Sequence, residues 1–216
     1  MADKLRIAGF VSGGGTNLQA ILDGCEDGTI HGEVVVVVSN NPEAHGLKRA
    51  KRHGVPTVAL DHQHYATRED HERAILAAIE PYGPQVAVLA GYMRVITPLF
   101  IDHFHDRVHD RPGVLNIHPA DTRQYQGAHG YEFAMGLLET HPQRLAETKI
   151  TVHFVDPGVD TGPIIAQRPV PVRPTDTLDD LRARGLAVEH QLYPEVLELY
   201  ARGKLDLVDG QVVIQD

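Results

Sequence analysis

Along the first ninety residues, apolar runs and amphipathic stretches take turns. Leu5–Val11 and the valine run at residues 33–39 are nearly continuous in apolar side chains, as strands covered on both faces are. Residues 56–60 and 85–90 read as two further strands. Helical spacing fills the intervals. Leu18, Ile21 and Leu22 share one face, the polar helix at 43–53 stops at Gly54, and Ala74, Ile75, Ala78 and Ile79 form a stripe within 67–80. Thr67 with Asp70 three residues on has capping-box spacing. This order predicts an α/β chain: a parallel N-terminal sheet, joined by right-handed crossovers and flanked by helices. In such sheets ligands sit beyond the carboxyl ends of the strands, so the loops starting at Ser12, Ser39, Asp61 and Gly91 are the ones to inspect.

The second half is less regular. Strands are expected at 113–117, 149–155 and 163–172, the last near a sheet edge because it carries Pro169 and Pro171. Residues 131–138 look helical. A long helix at 177–200 opens with Thr177 and Asp180 and contains Pro194, expected to kink it. Two short strands around Asp209-Gly210 read as a terminal hairpin. The sum is one domain over residues 1–216, with a regular βα half (1–100) and a second half (101–216) that adds mixed strands.

Composition narrows the function classes. The chain has 216 residues, 42% of them apolar, so it can bury an ordinary core. Its one cysteine, Cys25, excludes an internal disulfide and any site needing several thiolates, and it fits a reducing compartment. The start, Met1-Ala2-Asp3-Lys4-Leu5, is not a secretory signal, and no apolar run approaches the ~18 residues of a spanning helix. A cytoplasmic protein without membrane association is expected. A net charge of −9 argues against a nucleic-acid partner, whose phosphates demand Lys and Arg. It leaves room for one small anion held by backbone amides.

Ser12-Gly13-Gly14-Gly15-Thr16-Asn17 offers such amides. It joins the first strand to the first helix, and three glycines exceed what a capped turn needs. No Gly-Lys-Ser/Thr follows, so it is not a nucleoside-triphosphate loop. Leu18 stands where a dinucleotide fingerprint needs glycine, and Ser39-Asn40-Asn41 supplies no acid for a ribose. A smaller phosphorylated ligand fits better than a nicotinamide cofactor.

Asn116 and His118 lie two apart on a strand and so share a side, pairing an amide donor with a proton carrier. Asp156 and Asp160 occupy the Gly/Pro-rich loop after the 149–155 strand. Either could hold the histidine, and spacing does not separate them. The stretch 102–110 carries three histidines, with His105 and His109 at i, i+4. It lacks a metalloprotease motif, contains Arg107, and is broken by Pro112, so we read it as solvated surface and expect no metal.

Four blocks taken together resemble the glycinamide ribonucleotide formyltransferases, folate-dependent enzymes of purine synthesis. They are residues 12–21 followed by Ser39-Asn40, residues 89–97, Asn116-Ile117-His118-Pro119, and residues 152–155 running on to Asp160-Thr161-Gly162-Pro163. The resemblance implies a Rossmann-like formyltransferase fold and 10-formyltetrahydrofolate as co-substrate, without a metal. It makes Asn116, His118 and Asp160 the catalytic trio, deciding for Asp160 over Asp156, with Asp160 favouring protonated His118. It implies a phosphate cradle of Gly14, Gly15, Thr16 and Asn17, and Glu189 on the acceptor substrate. Arg68, Met93, Arg94, Val95, Ile96, Asn116, Asp156 and Val159 are expected at the folate. A monomer or homodimer working on small molecules follows.

The chain departs from that pattern in places. After His118-Pro119 the family usually has Ser-Leu-Leu-Pro and an aromatic-Pro-Gly turn, whereas this chain has Ala120-Asp121-Thr122-Arg123-Gln124-Tyr125-Gln126-Gly127. Lys149 replaces a usual glycine, Leu186 a common polar residue, and the 94–116 stretch is about six residues longer. The alternative is therefore formyl transfer from the same donor to a different phosphorylated amine, or to water. The extra domains that the hydrolase and the methionyl-tRNA enzyme usually carry are not expected in a sequence of this length.

Overall fold

The computed structural model describes residues 4–215. Residues 1–3, on which the reading of the N-terminus partly rests, and residue 216 lie outside it. Strands β1 (Leu5–Val11), β2 (Gly32–Ser39), β3 (Thr57–Ala59), β4 (Val86–Leu89), β5 (Val114–His118), β6 (Glu147–Phe154) and β7 (Ile164–Pro171) form one sheet in the order β3-β2-β1-β4-β5-β6-β7. The first five are mutually parallel; β6 runs antiparallel to both of its neighbours, β5 and β7. The switch point between β1 and β4 is where a crevice opens in such sheets.

The valine run explains itself in section. Val36 and Val38 pack on one face with Phe10, Ile75, Ile79 and Phe100, while Val34 and Val37 pack on the other with Leu18, Ile21, Tyr193 and Leu197. Helices α3 (Arg68–Ile79) and α4 (Pro98–His103) cover the first face. The second is covered by α1 (Thr16–Asp27) and α6 (Leu178–Ala201). The remaining helices are α2 (His45–Arg52) and α5 (Gly130–Ala134), and β8 (Leu205–Val208) with β9 (Gln211–Ile214) makes the terminal hairpin. Thr177 and Asp180 form the capping box of α6, and Thr67 accepts from the Asp70 N–H at the start of α3. The helix runs unbroken through Pro194, and the neighbouring Tyr193 hydroxyl lies 2.9 Å from the Leu115 carbonyl, tying α6 to β5.

Two details differ from the sequence reading. Helix α5 stops at Ala134, because Gly136 turns into the left-handed region at φ +68°. His105 and His109 share no helical face. A bridge between Asp106 and Arg111, turning at Asp110 (φ 49°), makes a small hairpin in which His105 meets Asp110 at 2.9 Å and His109 meets Asp106 at 2.7 Å. Arg111 stacks on the Tyr200 ring at 3.9 Å and so fastens this longer stretch to the end of α6. No group of three or more metal-ligating side chains occurs among the described residues, and no helix there is long and apolar enough to cross a membrane.

Candidate active site

The carboxyl ends of β4 and β5 and the loops beyond them enclose a cavity of about 630 Å³. One wall is the β4–α4 loop, where Met93, Arg94, Val95 and Ile96 line the space. Asp156 and Val159 close the opposite side. Met93 (71% exposed) and Val159 (46%) leave apolar surface open to a flat ligand. Arg68 does not join them. It is exposed on the first turn of α3 and is absent from the lining of this cavity.

The trio converges. Asn116 and His118 project from β5 to one side, and Asp160 reaches them from the loop after β6, its backbone held at φ 51°. Asp160 accepts from the Asn116 amide (3.0 Å) and the Gly127 N–H (2.8 Å), and its Oδ2 lies 3.4 Å from His118 Nδ1. Asp156 does something else: it accepts from the Gly158 N–H and the Thr161 hydroxyl, bracing the loop. A fourth member escaped the sequence reading. His153 Nε2 sits 3.2 Å from Asn116 Nδ2 and 3.4 Å from Asp160. Its signal was present, since β6 and β5 are neighbours and His153 pairs with Asn116, but that pairing needs the register.

Burial and charge act in opposite directions on the histidine. Burial drives the His118 pKa below its ordinary 6.5 and outweighs the Asp160 carboxylate and the Tyr125 carbonyl, which pull it up. The resting imidazole is therefore neutral at pH 7, although Asp160 does favour its protonated form. Its Nε2 is buried on the cavity wall with no hydrogen-bond partner among the described residues. Asp160 goes the other way. Burial alone would raise its pKa, but His153, His118 and the Gly127 N–H hold it below the usual carboxylate value. One amide hydrogen of Asn116 is committed to Asp160. The other faces His153 and is the one that a developing oxyanion could take over.

The glycine loop lies next door. Gly13 and Gly14 face open space, whereas Gly15 has φ +67° and a Cβ there would come within 2.7 Å of the Gly46 Cα, so only glycine fits. No acidic side chain occupies the first turn of α1, whose N–H groups start at Thr16. Ser12 connects loop and cavity: its hydroxyl bonds Asn40 (2.5 Å) and accepts from the Met93 N–H (2.8 Å). Glu189 is buried and does not line the cavity. Its oxygens accept from Asn17 (2.5 Å) and from the Tyr131 hydroxyl, so it reaches the cavity only through Tyr131. Asn17 Oδ1 is buried without a partner among the described residues, beside this pair.

A family profile described as formyl transferase matches residues 5–197. The chain belongs to the formyl transferase family. It is 38% identical over 213 residues to phosphoribosylglycinamide formyltransferase of Escherichia coli (strain K12), covering 96% of this chain and 95% of that one. The crystal structure of glycinamide ribonucleotide transformylase 1 from Symbiobacterium toebii superposes with a TM-score of 0.91 at 40% identity, over 100% of this chain and 96% of that one. A formyltetrahydrofolate deformylase from Pseudomonas syringae shares the fold at 22% identity, with a TM-score of 0.84, covering 100% of this chain and 67% of that one.

Proposed function

We propose that the protein transfers the formyl group of 10-formyltetrahydrofolate to the amine of glycinamide ribonucleotide. The observation that carries this reading is the neutral, unpartnered His118 Nε2 facing an apolar-walled cavity, with Asn116 and Asp160 beside it. The amine nitrogen attacks the formyl carbon, a C–N bond forms, and the carbonyl oxygen becomes an oxyanion. The Asn116 amide hydrogen that faces His153 turns to that oxygen. His118 Nε2 takes the proton released by the amine, and Asp160 stabilises the imidazolium so formed. Collapse of the intermediate breaks the bond to N10 of the folate, which receives the proton from His118. The products are the formamide and tetrahydrofolate, and no step needs a metal.

The acceptor's phosphate would sit on the amides of Gly14 and Gly15 with Thr16 and Asn17, at the N-terminus of α1. Met93, Arg94, Val95, Ile96, Asp156 and Val159 would hold the folate. A small-molecule enzyme of the cytoplasm, monomeric or a homodimer and independent of nucleic acid, fits this reading. The names of the similar proteins support glycinamide ribonucleotide over the alternative acceptors. The test is a spectrophotometric transfer assay with both substrates. Turnover that disappears in His118→Ala supports the proposal. Folate binding without transfer to this amine would point to another acceptor, and no folate binding would end it.

A further inference from the structure

The residues that depart from the family pattern meet one another. Asp121 follows β5 and is buried, its side chain 8% exposed. Lys149, from β6, donates to it at 2.9 Å, Gln167, from β7, at 3.0 Å, and Arg123 at 3.1 Å. The register explains the meeting. Thr151 pairs with Gln167, and Lys149 lies two residues before Thr151 on the same face of β6. Thr151 in turn donates to the Ala120 carbonyl (2.6 Å) and accepts from Gln167 (2.9 Å). Burial alone would raise the Asp121 pKa, but donors from Gln167, Lys149 and Arg123 hold it far below the usual carboxylate range. A buried carboxylate with this many donors is fixed in place, and removing one partner leaves an uncompensated charge.

What it fixes is the loop at residues 119–130. The Asp121 carbonyl accepts from the N–H groups of Gln124 (2.8 Å) and Tyr125 (2.9 Å), shaping the turn. Tyr125 presents its carbonyl to His118, and Gly127 donates its N–H to Asp160. The Tyr125 ring stacks on Phe133 at 4.4 Å. Asp121, Arg123, Lys149 and Gln167 are all absent from the cavity wall. We infer that Asp121 is a positioning residue: with Lys149, Arg123 and Gln167 it anchors the 119–130 loop to the antiparallel end of the sheet and thereby sets His118 and Asp160 in their working geometry. This role rests on the proposed formyl transfer.

The test compares wild type with Asp121→Asn, Lys149→Met and Lys149→Arg, each first checked for cooperative melting. In Asp121→Asn, kcat should fall on the order of 10- to 100-fold, as misplacement by a fraction of an ångström to one ångström produces. KM for both substrates should stay within about threefold, since no contact to them is lost. The acid limb of kcat should move to higher pH, because burial is what holds His118 down and a loosened loop admits water. Lys149→Met should act in the same direction, and it carries the test if Asp121→Asn does not fold. Lys149→Arg, which keeps the charge, should stay near wild type. Folded Asp121→Asn or Lys149→Met enzymes with kcat and acid limb within about twofold of wild type would overturn the inference. A wild type without transfer activity would bring down the functional reading instead. The network is then tested by NMR titration of His118, which should shift toward 6.5 in Asp121→Asn. An unshifted titration there would overturn the inference.

Discussion

Replacing Asp160 by asparagine is the sharpest perturbation of the trio. In the resting enzyme Asp160 faces a neutral His118, but during transfer the imidazole gains a proton and the pair becomes ionic. At 3.4 Å, with side chains 6% and 13% exposed, the gross attraction is about 5 kcal/mol for an effective dielectric constant near 20. If about half survives screening and reorganisation, ~2.5 kcal/mol of transition-state stabilisation is lost, between 10- and 100-fold in kcat. Geometry adds to this, since an asparagine amide cannot accept from both the Asn116 amide and the Gly127 N–H as the carboxylate does. The total expected loss in kcat is on the order of 100- to 1000-fold. The pH profile gives the decisive sign. Among the influences on His118, Asp160 is the chief one that raises its pKa, while burial and His153 lower it. The acid limb of Asp160→Asn should therefore move to lower pH even as the plateau falls. The assay is steady-state transfer followed spectrophotometrically from pH 5 to pH 9, with buffers of constant ionic strength. A plateau within tenfold of wild type, or an acid limb that moves upward, would refute the reasoning.

Stability should follow His118 as well. Its folded pKa lies below the ordinary 6.5, so the unfolded chain binds the proton first. Its contribution is fully present above 6.5 and is lost as pH falls through the folded value, which melting curves from pH 7.5 down to 5 should show and His118→Gln should flatten. Gly15→Ala forces a Cβ into a left-handed turn against Gly46 and should cost about 1–3 kcal/mol, read by urea melting, with weakened binding of the phosphorylated substrate. Tyr131→Phe removes a hydrogen bond to buried Glu189 and should cost about 1.5–3 kcal/mol of stability; an unchanged melting temperature would show that the bond contributes nothing. Thr177→Ala removes the cap of α6 for about 1 kcal/mol, with no change in KM.

Much of this protein was legible along the chain. The valine run of β2, the glycines after β1 and the capping residues of α3 and α6 each express a local rule, because period, turn geometry and capping involve residues a few positions apart. The stretch at 98–111 resisted, since α4 is only six residues long counting Pro98, and a short hairpin and a helix both suit His105 and His109. Asn116 and His118 could be placed on one side of a strand by alternation alone. Asp160 was separable from Asp156 only through resemblance, because an irregular loop offers no period. What the amino-acid order determined by itself was the layered α/β architecture, the anion-ready loop and the chemical types at the site. Tertiary structure decided which groups meet: His153 with Asn116, Glu189 with Tyr131, Lys149 with Asp121, and a His118 whose charge is set by burial more than by its partner. The reason is that strand register and solvent exclusion are properties of chain segments brought together from far apart, and no local spacing encodes either.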